Sequence, residues 1–348
     1  MTEPTQLFFD TDSRLGTFAK LNTWNAGFTA GAPRPEVQFN ARAYTLDAPI
    51  DLRSGMRLLG TRSPAREFQT GCVFKPGNLT ASMFRQVANT QGYRSDGSAR
   101  AVSVQGIMFY SSIPVLPKYN VNTDTYRGHT WWYYDFHDCG FVVSDAIAVG
   151  WGDGLTFSGI THVQACRTTP FYVGGSENGF GSAGISFLDS DDSVWMGANL
   201  PFFNMFSDKW TLSDMMISAR MKAYQVLVSG GGNGRISRVY FDAPDGQPTS
   251  GAQLRITGGR ALTVSDCSFK GGAGISVTGG SGDIVINACV FSGNPGVLTI
   301  GPNFTGTVFL GLNSYEANAG ITTPKTVKVA RASQLHSLDS RIQVVVTG

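Results

Sequence analysis

One eight-residue pattern recurs along this chain: apolar, any, apolar, two polar or small residues, apolar, any, bulky. Leu262-Thr263-Val264-Ser265-Asp266-Cys267-Ser268-Phe269 shows it most plainly, and Tyr134 to Phe141 and Ile284 to Phe291 follow it closely. Copies begin at residues 102, 134, 161, 185, 210, 234, 262, 284 and 308, a spacing of about 25 residues. Alternation at period two puts every other side chain on one face of a strand. A single copy has too few apolar residues to bury itself, whereas stacked copies share one core. Gly-rich stretches such as Gly230-Gly231-Gly232-Asn233-Gly234 read as bends between strands, and helical periods are missing beyond residue 30. The pattern predicts an all-β chain folded as a parallel β-helix, a solenoid. Residues 1–35 read as an N-terminal segment with a capping helix, 36–320 as the solenoid, and 321–348 as closing strands.

The first hundred residues fit that layout. Thr17 to Ala26 can form a short helix with Phe18, Leu21 and Trp24 as its apolar residues. Glu36 to Asn40, Ile50 to Leu52, Met56 to Gly60, Cys72 to Phe74 and Met83 to Phe84 read as short strands. A helix at this place would cover an otherwise sticky β end. On the Phe18–Gly27 cap, Val37-Gln38-Phe39, Tyr44, Ile50-Asp51-Leu52, Met56-Arg57-Leu58-Leu59-Gly60 and the later Cys-x-Phe copies, the chain resembles the pectin-lyase-like superfamily of right-handed, single-stranded parallel β-helices. The resemblance runs from Phe18 to about Tyr315. It implies a fold that hosts lyases, hydrolases, epimerases and non-enzymatic virus spikes, the last usually homotrimeric.

Composition bounds the partners. Charged residues are only 15% of the 348, hydrophobic residues are 42%, and the net charge is +2. That balance argues against disorder and offers no basic field for nucleic acid or a membrane surface. No apolar run is long enough to cross a bilayer, and Met1-Thr2-Glu3-Pro4 lacks the regions of a signal peptide. Five cysteines is an odd number. Cys139, Cys166, Cys267 and Cys289 share one repeat position, so they read as small apolar core residues made in a reducing cytosol.

If the first repeat position faces inward, the second and seventh face outward. The second then carries Asp135 and His162 on neighbouring copies, and the seventh carries Arg167 and Asp191. Asp135, His162 and Asp191 are therefore the candidate catalytic residues. Histidine suits proton transfer near neutral pH, and arginine binds carboxylates through two parallel hydrogen bonds. Trp131 and Tyr133 could stack on sugar rings, while Arg167 and Glu177 could hold polar groups of an acidic glycan. The same residues read equally as cross-strand ion pairs on a solvated sheet, worth ~0.2–1 kcal/mol each. Asp153 reads as part of a Gly-Asp-Gly turn. The resemblance likens Asp191-Asp192 to the paired aspartates of family hydrolases, although the accompanying Gly-His-Gly and Arg-x-Lys motifs are missing. The aromatic segments Pro170 to Gly184 and Ser193 to Ser207, with Phe202, Phe203 and Phe206, read as exposed loops for binding or assembly, or as segments folded back onto the core.

The expected function is that of a bacteriophage tail-spike-like protein, which binds and can cleave bacterial surface polysaccharide. Its expected partners are that glycan, two further copies of the chain and other virion tail proteins, and its expected place is the virion tail after synthesis in the bacterial cytoplasm. Nucleic acid, membrane insertion, cofactors and metals are not expected. A free polysaccharide lyase or glycoside hydrolase, and a purely structural or adhesive virion component, are the alternatives.

Overall fold

The computed structural model describes residues 6–28, 34–61, 71–87, 100–118, 130–153, 155–159, 162–164, 171–174, 180–183, 186–188, 201–206, 209–218, 224–242, 252–293, 296–316, 325–337 and 342–347. The protein is all-β, with parallel strand pairing and one α-helix among these residues. It forms two compact units, Met1–Cys166 and Arg167–Gly348.

In the first unit, short strands line up in three ladders. The first runs through Gln6–Phe8, Glu36–Phe39, Arg57–Gly60, Arg100–Gln105, Thr130–His137 and Leu155–Ser158. The second runs through Ala43–Thr45, Cys72–Lys75, Ile107–Ser111, Gly140–Val143 and His162–Gln164. The third contains Ile50–Leu52 and Phe84–Gln86. Equal repeat positions pair across copies: Val102 meets Tyr134, Val104 meets Phe136, and Phe109 meets Phe141. Like residues therefore stack in the interior, with Phe109 on Phe141 at 5.3 Å and Phe136 on Phe157 at 5.0 Å. Offset ring stacks of this kind add to the area buried.

The helix Phe18–Ala26 is fixed by its ends and its amides. Thr17 accepts a hydrogen bond from the Lys20 amide at 3.1 Å, and Asp47 accepts from the amides of Phe18 (2.7 Å) and Ala19 (3.3 Å). These acceptors satisfy amides that a helix start leaves open, and the Asp47 charge favours the positive end of the helix dipole. Phe18 and Leu21 are buried as the sequence predicts, but Trp24 is only half-buried, against Phe28. Asn22 and Asn25 take the inner face instead. Asn22 donates to the Pro49 carbonyl and accepts from the Asp51 amide, both at 2.8 Å, so it satisfies main-chain groups where the helix meets a strand.

The second unit repeats the scheme over more copies. Trp210, Gly234, Leu262, Ile284 and Val308 pair in succession. So do Ile217, Phe241, Phe269, Phe291 and Tyr315, the last four with centroid spacings of 4.6, 5.0 and 5.8 Å. A further ladder joins Phe171–Gly174, Phe203–Met205, Val226–Val228, Leu254–Ile256, Ile275–Val277, Leu298–Ile300, Lys325–Val329 and Ile342–Val346. The two C-terminal segments thus extend an existing ladder. Phe202 and Phe203 are not exposed: both are buried, with Phe203 stacked on Phe171 at 4.9 Å. Their neighbours in the ladder are apolar, so the interior is the place where they lose most contact with water.

The bend inside seven of the copies has one backbone signature. The fifth residue adopts a left-handed conformation: Gly106, Asp138 and Gly159 in the first unit, and Asp214, Arg238, Asp266 and Ala288 in the second, with φ between 52° and 66°. Aspartate and glycine tolerate this region better than most residues. The sixth residue then turns inward, which buries Cys139, Cys267 and Cys289 as free thiols; Cys72 is buried as well. Burial pushes the Cys139 thiol up to about 12, as expected for an unreactive core residue.

Candidate functional site

The polar cluster with most chemistry among the described residues lies on the outward side of Thr130–His137 and Leu155–Ser158, within the first unit. Tyr134 and Phe136 point inward and are buried, so Asp135 and His137 lie on the opposite face of their strand, both half-exposed. Asp135 pairs with Ser103 on one side and Thr156 on the other, and His137 with Gln105 and Ser158. The His137 Nδ1 and the Ser158 hydroxyl share a hydrogen bond of 2.8 Å, and its Nε2 stands 3.3 Å from an Asp138 carboxylate oxygen. The imidazole is thus held from both ring nitrogens.

Asp138 reaches this place because it occupies the left-handed fifth position, with its amide donating to the Ser158 carbonyl at 2.9 Å. The facing bend residue is Gly159, also left-handed, where an added Cβ would come within 2.4 Å of the Asp138 carboxylate. Glycine there is what lets the carboxylate lie against the next copy. Burial raises the pKa of Asp135, with the nearby His137 opposing the shift. A carboxyl that keeps its proton longer, two residues from an imidazole, is a combination suited to acid–base chemistry.

The candidates from sequence fare differently. Asp135 lies outward as expected, but His162 does not stand beside it: His162 pairs with Gly140 in the second ladder, while the partner of Asp135 is Thr156. The copy placed at 161 actually begins at Leu155, since Thr156 and Phe157 align with Asp135 and Phe136. The copy placed at 185 is shifted in the same way, because Phe180 aligns with Trp210 and Ser186 with Met216. Both errors are half-repeat slips. Each copy holds two apolar-any-apolar strands, and alternation alone does not tell them apart. The backbones of Trp131 and Tyr133 belong to the strand that carries Asp135, but their side chains, like that of His162, lie outside the described residues. Arg167, Glu177 and Asp191 lie outside them altogether. Asp153 ends the strand Ala148–Asp153 and pairs with Trp132, so it is not a turn residue.

His137 is the residue that the sequence reading passed over. The signal was present: it occupies the fourth repeat position, two residues after Asp135 and hence on the same face. No metal-holding group of three or more His, Cys, Asp or Glu side chains occurs among the described residues. Comparison with known proteins finds no matching family model, no matching curated protein and no matching solved structure, so the functional reading rests on the residues themselves.

Proposed function

We propose that the protein is a right-handed, single-stranded parallel β-helix that binds and cleaves bacterial surface polysaccharide in the manner of a bacteriophage tail spike, carried on the virion tail. The in-register pairing of equal repeat positions supports the β-helix reading, because one turn of such a helix brings each position over its counterpart. The observation that carries the functional reading is the pairing of a burial-shifted Asp135 carboxyl with His137 on one outward strand face. In hydrolysis, Asp135 delivers its proton to the glycosidic oxygen as the bond to the sugar carbon breaks. The attacking water gives its proton to the Ser158 hydroxyl, which passes its own to His137 Nδ1 while Asp138 holds the Nε2 side of the ring. In elimination, the carbon beside a uronate carboxyl loses its proton by the same Ser158–His137 route, and the leaving oxygen again receives its proton from Asp135. Ser158 and Asp138 orient the ring of His137.

Assembly as a homotrimer that joins other tail proteins belongs to the same reading. Support comes from the outward side of the second unit, where Val285 and Phe309 adjoin in one ladder and are 38% and 41% exposed. Exposed apolar neighbours of this kind mark contact surfaces.

The test is incubation of the full chain with host capsular or wall polysaccharide. New reducing ends with unsaturated, ultraviolet-absorbing products identify a lyase, and reducing ends alone a hydrolase. Asp135→Asn and His137→Gln should each abolish turnover with an unchanged circular dichroism spectrum. Retention of glycan without products would leave an adhesin in place of an enzyme, and absence of both binding and products would overturn the proposal.

A further inference from the structure

Two part-buried arginines near the helix of the first unit lack a counter-charge among the described residues. Each described acid between residues 6 and 61 is already engaged. Asp10 accepts from Asn40 and Tyr44 and pairs with Arg42, and Asp12 is held by Arg14 at 2.9 Å. Glu36 accepts from Gln6 and Gln38, Asp47 caps the helix, and Asp51 binds Arg85 at 2.7 Å. Arg34 and Arg53 are left out. Arg34 lies over the Phe28 ring at 5.0 Å, and its only hydrogen bonds among the described residues run from Nη1 to the backbone and side-chain oxygens of Asn25. The Arg53 guanidinium makes no hydrogen bond or ion pair with the described residues; the Arg53 carbonyl accepts from the Met56 amide at 3.1 Å. The Nε atoms of both are buried with no hydrogen-bond partner among the described residues.

Asn25, which accepts from Arg34, also donates to the Asp51 carbonyl and lies against the Met56 sulfur, and the Met56 amide bonds the Arg53 carbonyl, so both arginines border one place. Covering part of two like charges there is unfavourable unless something negative joins them. The strain is visible in Arg34, which burial and then the nearby Arg53 charge pull down to about 10. Both side chains remain half-exposed, so a ligand from solvent can reach the terminal nitrogens. Planar guanidinium forks match carboxylate and phosphate oxygens, and Asn25 and Phe28 hold Arg34 in place for such contact.

We propose that Arg34 and Arg53 form an oxyanion-binding site beside the N-terminal helix, which takes the carboxylate of a uronic acid or a phosphate group. The site is separate from Asp135 and His137, and its existence does not depend on glycan cleavage.

The experiment follows thermal unfolding and calorimetric titration of the full chain with inorganic phosphate, glucuronate and glucose, at constant ionic strength set with chloride. Phosphate, glucuronate or both should raise the unfolding temperature saturably, glucose should not, and the effective probe identifies the source of the oxyanion. Arg53→Met keeps the apolar stem and removes the charge. It should weaken the effective anion by about tenfold or more, and it should unfold at a higher temperature than the parent without ligand, since the like-charge repulsion is gone. Arg53→Gln serves the same purpose should the methionine variant fail to fold. An unchanged anion response in these variants, or no response in the parent chain, overturns the proposal.

Discussion

Replacing Phe269 by alanine tests the inward–outward alternation on which the whole reading depends. The ring is fully buried and lies between Phe241 at 4.6 Å and Phe291 at 5.0 Å, nearly parallel to both. Truncating a buried phenylalanine costs about 4 kcal/mol. Loss of two stacked neighbours moves the expectation toward the upper end, about 5 kcal/mol. That is comparable with the whole stability of many domains. Phe309→Ala is the matched control: the same residue type in the same unit, but on the outward side and 41% exposed. His336 is its stacking partner among the described residues, and the cost of the substitution should be about 1 kcal/mol or less. Urea unfolding followed by tryptophan fluorescence reads both, because Trp210 is buried in the same unit. Linear extrapolation with a common slope converts midpoints to free energies. A loss below about 2 kcal/mol for Phe269→Ala, or equal losses for both variants, would refute the alternation.

Two other expectations follow from local geometry. Asp135 has a raised folded-state pKa, so its contribution to stability is fully present below the unfolded value of about 3.9 and is lost as pH rises through the folded value. Asp135→Asn should therefore outlast the parent in urea at neutral pH and lose that advantage on acidification; a difference constant across pH would contradict the assignment. At Gly282 an added Cβ would lie 0.8 Å from the Arg260 carbonyl oxygen, whereas at Gly296 it would meet nothing within 4 Å. Gly282→Ala should yield little soluble protein and Gly296→Ala should behave as the parent, with soluble yield and circular dichroism as the readout.

Much of the fold was legible because the repeat writes the same residue types at the same places. Leu262, Ile284 and Val308 announce their alignment, and the structure pairs them. Where the copies thin out, alternation leaves two registers open, and Leu155 and Thr161 both satisfy it. The residue that would have chosen is the fifth. Seven of the copies place a positive-φ residue fifth, and Gly159, the residue type that adopts it most cheaply, is the fifth counted from Leu155. The same omission hid the site. A copy started at 161 puts His162 in the place beside Asp135, whereas His137 shares the face of Asp135 by alternation alone. Phe202 and Phe203 were ambiguous for a different reason: aromatic residues between strands suit a contact surface and a core equally, and the ladder partners that decide between them are distant in sequence. Trp24 lost its place to Asn22 and Asn25 because the helix abuts strand backbone, where amides are worth more than rings.

The connections between strands vary in length without disturbing the pairing. Asp242 aligns with Lys270, and Leu254 with Ile275, yet the stretch from Asp242 to Leu254 is more than twice as long as that from Lys270 to Ile275. Since each doubling of a connection's length adds only about 0.6 kcal/mol of closure entropy, alignment is dictated by the partners on either side and barely by the number of residues between them. A foreign peptide, such as an epitope or an affinity tag, inserted in the sequence between Asp242 and Leu254 should therefore leave the alignment of both strands unaltered.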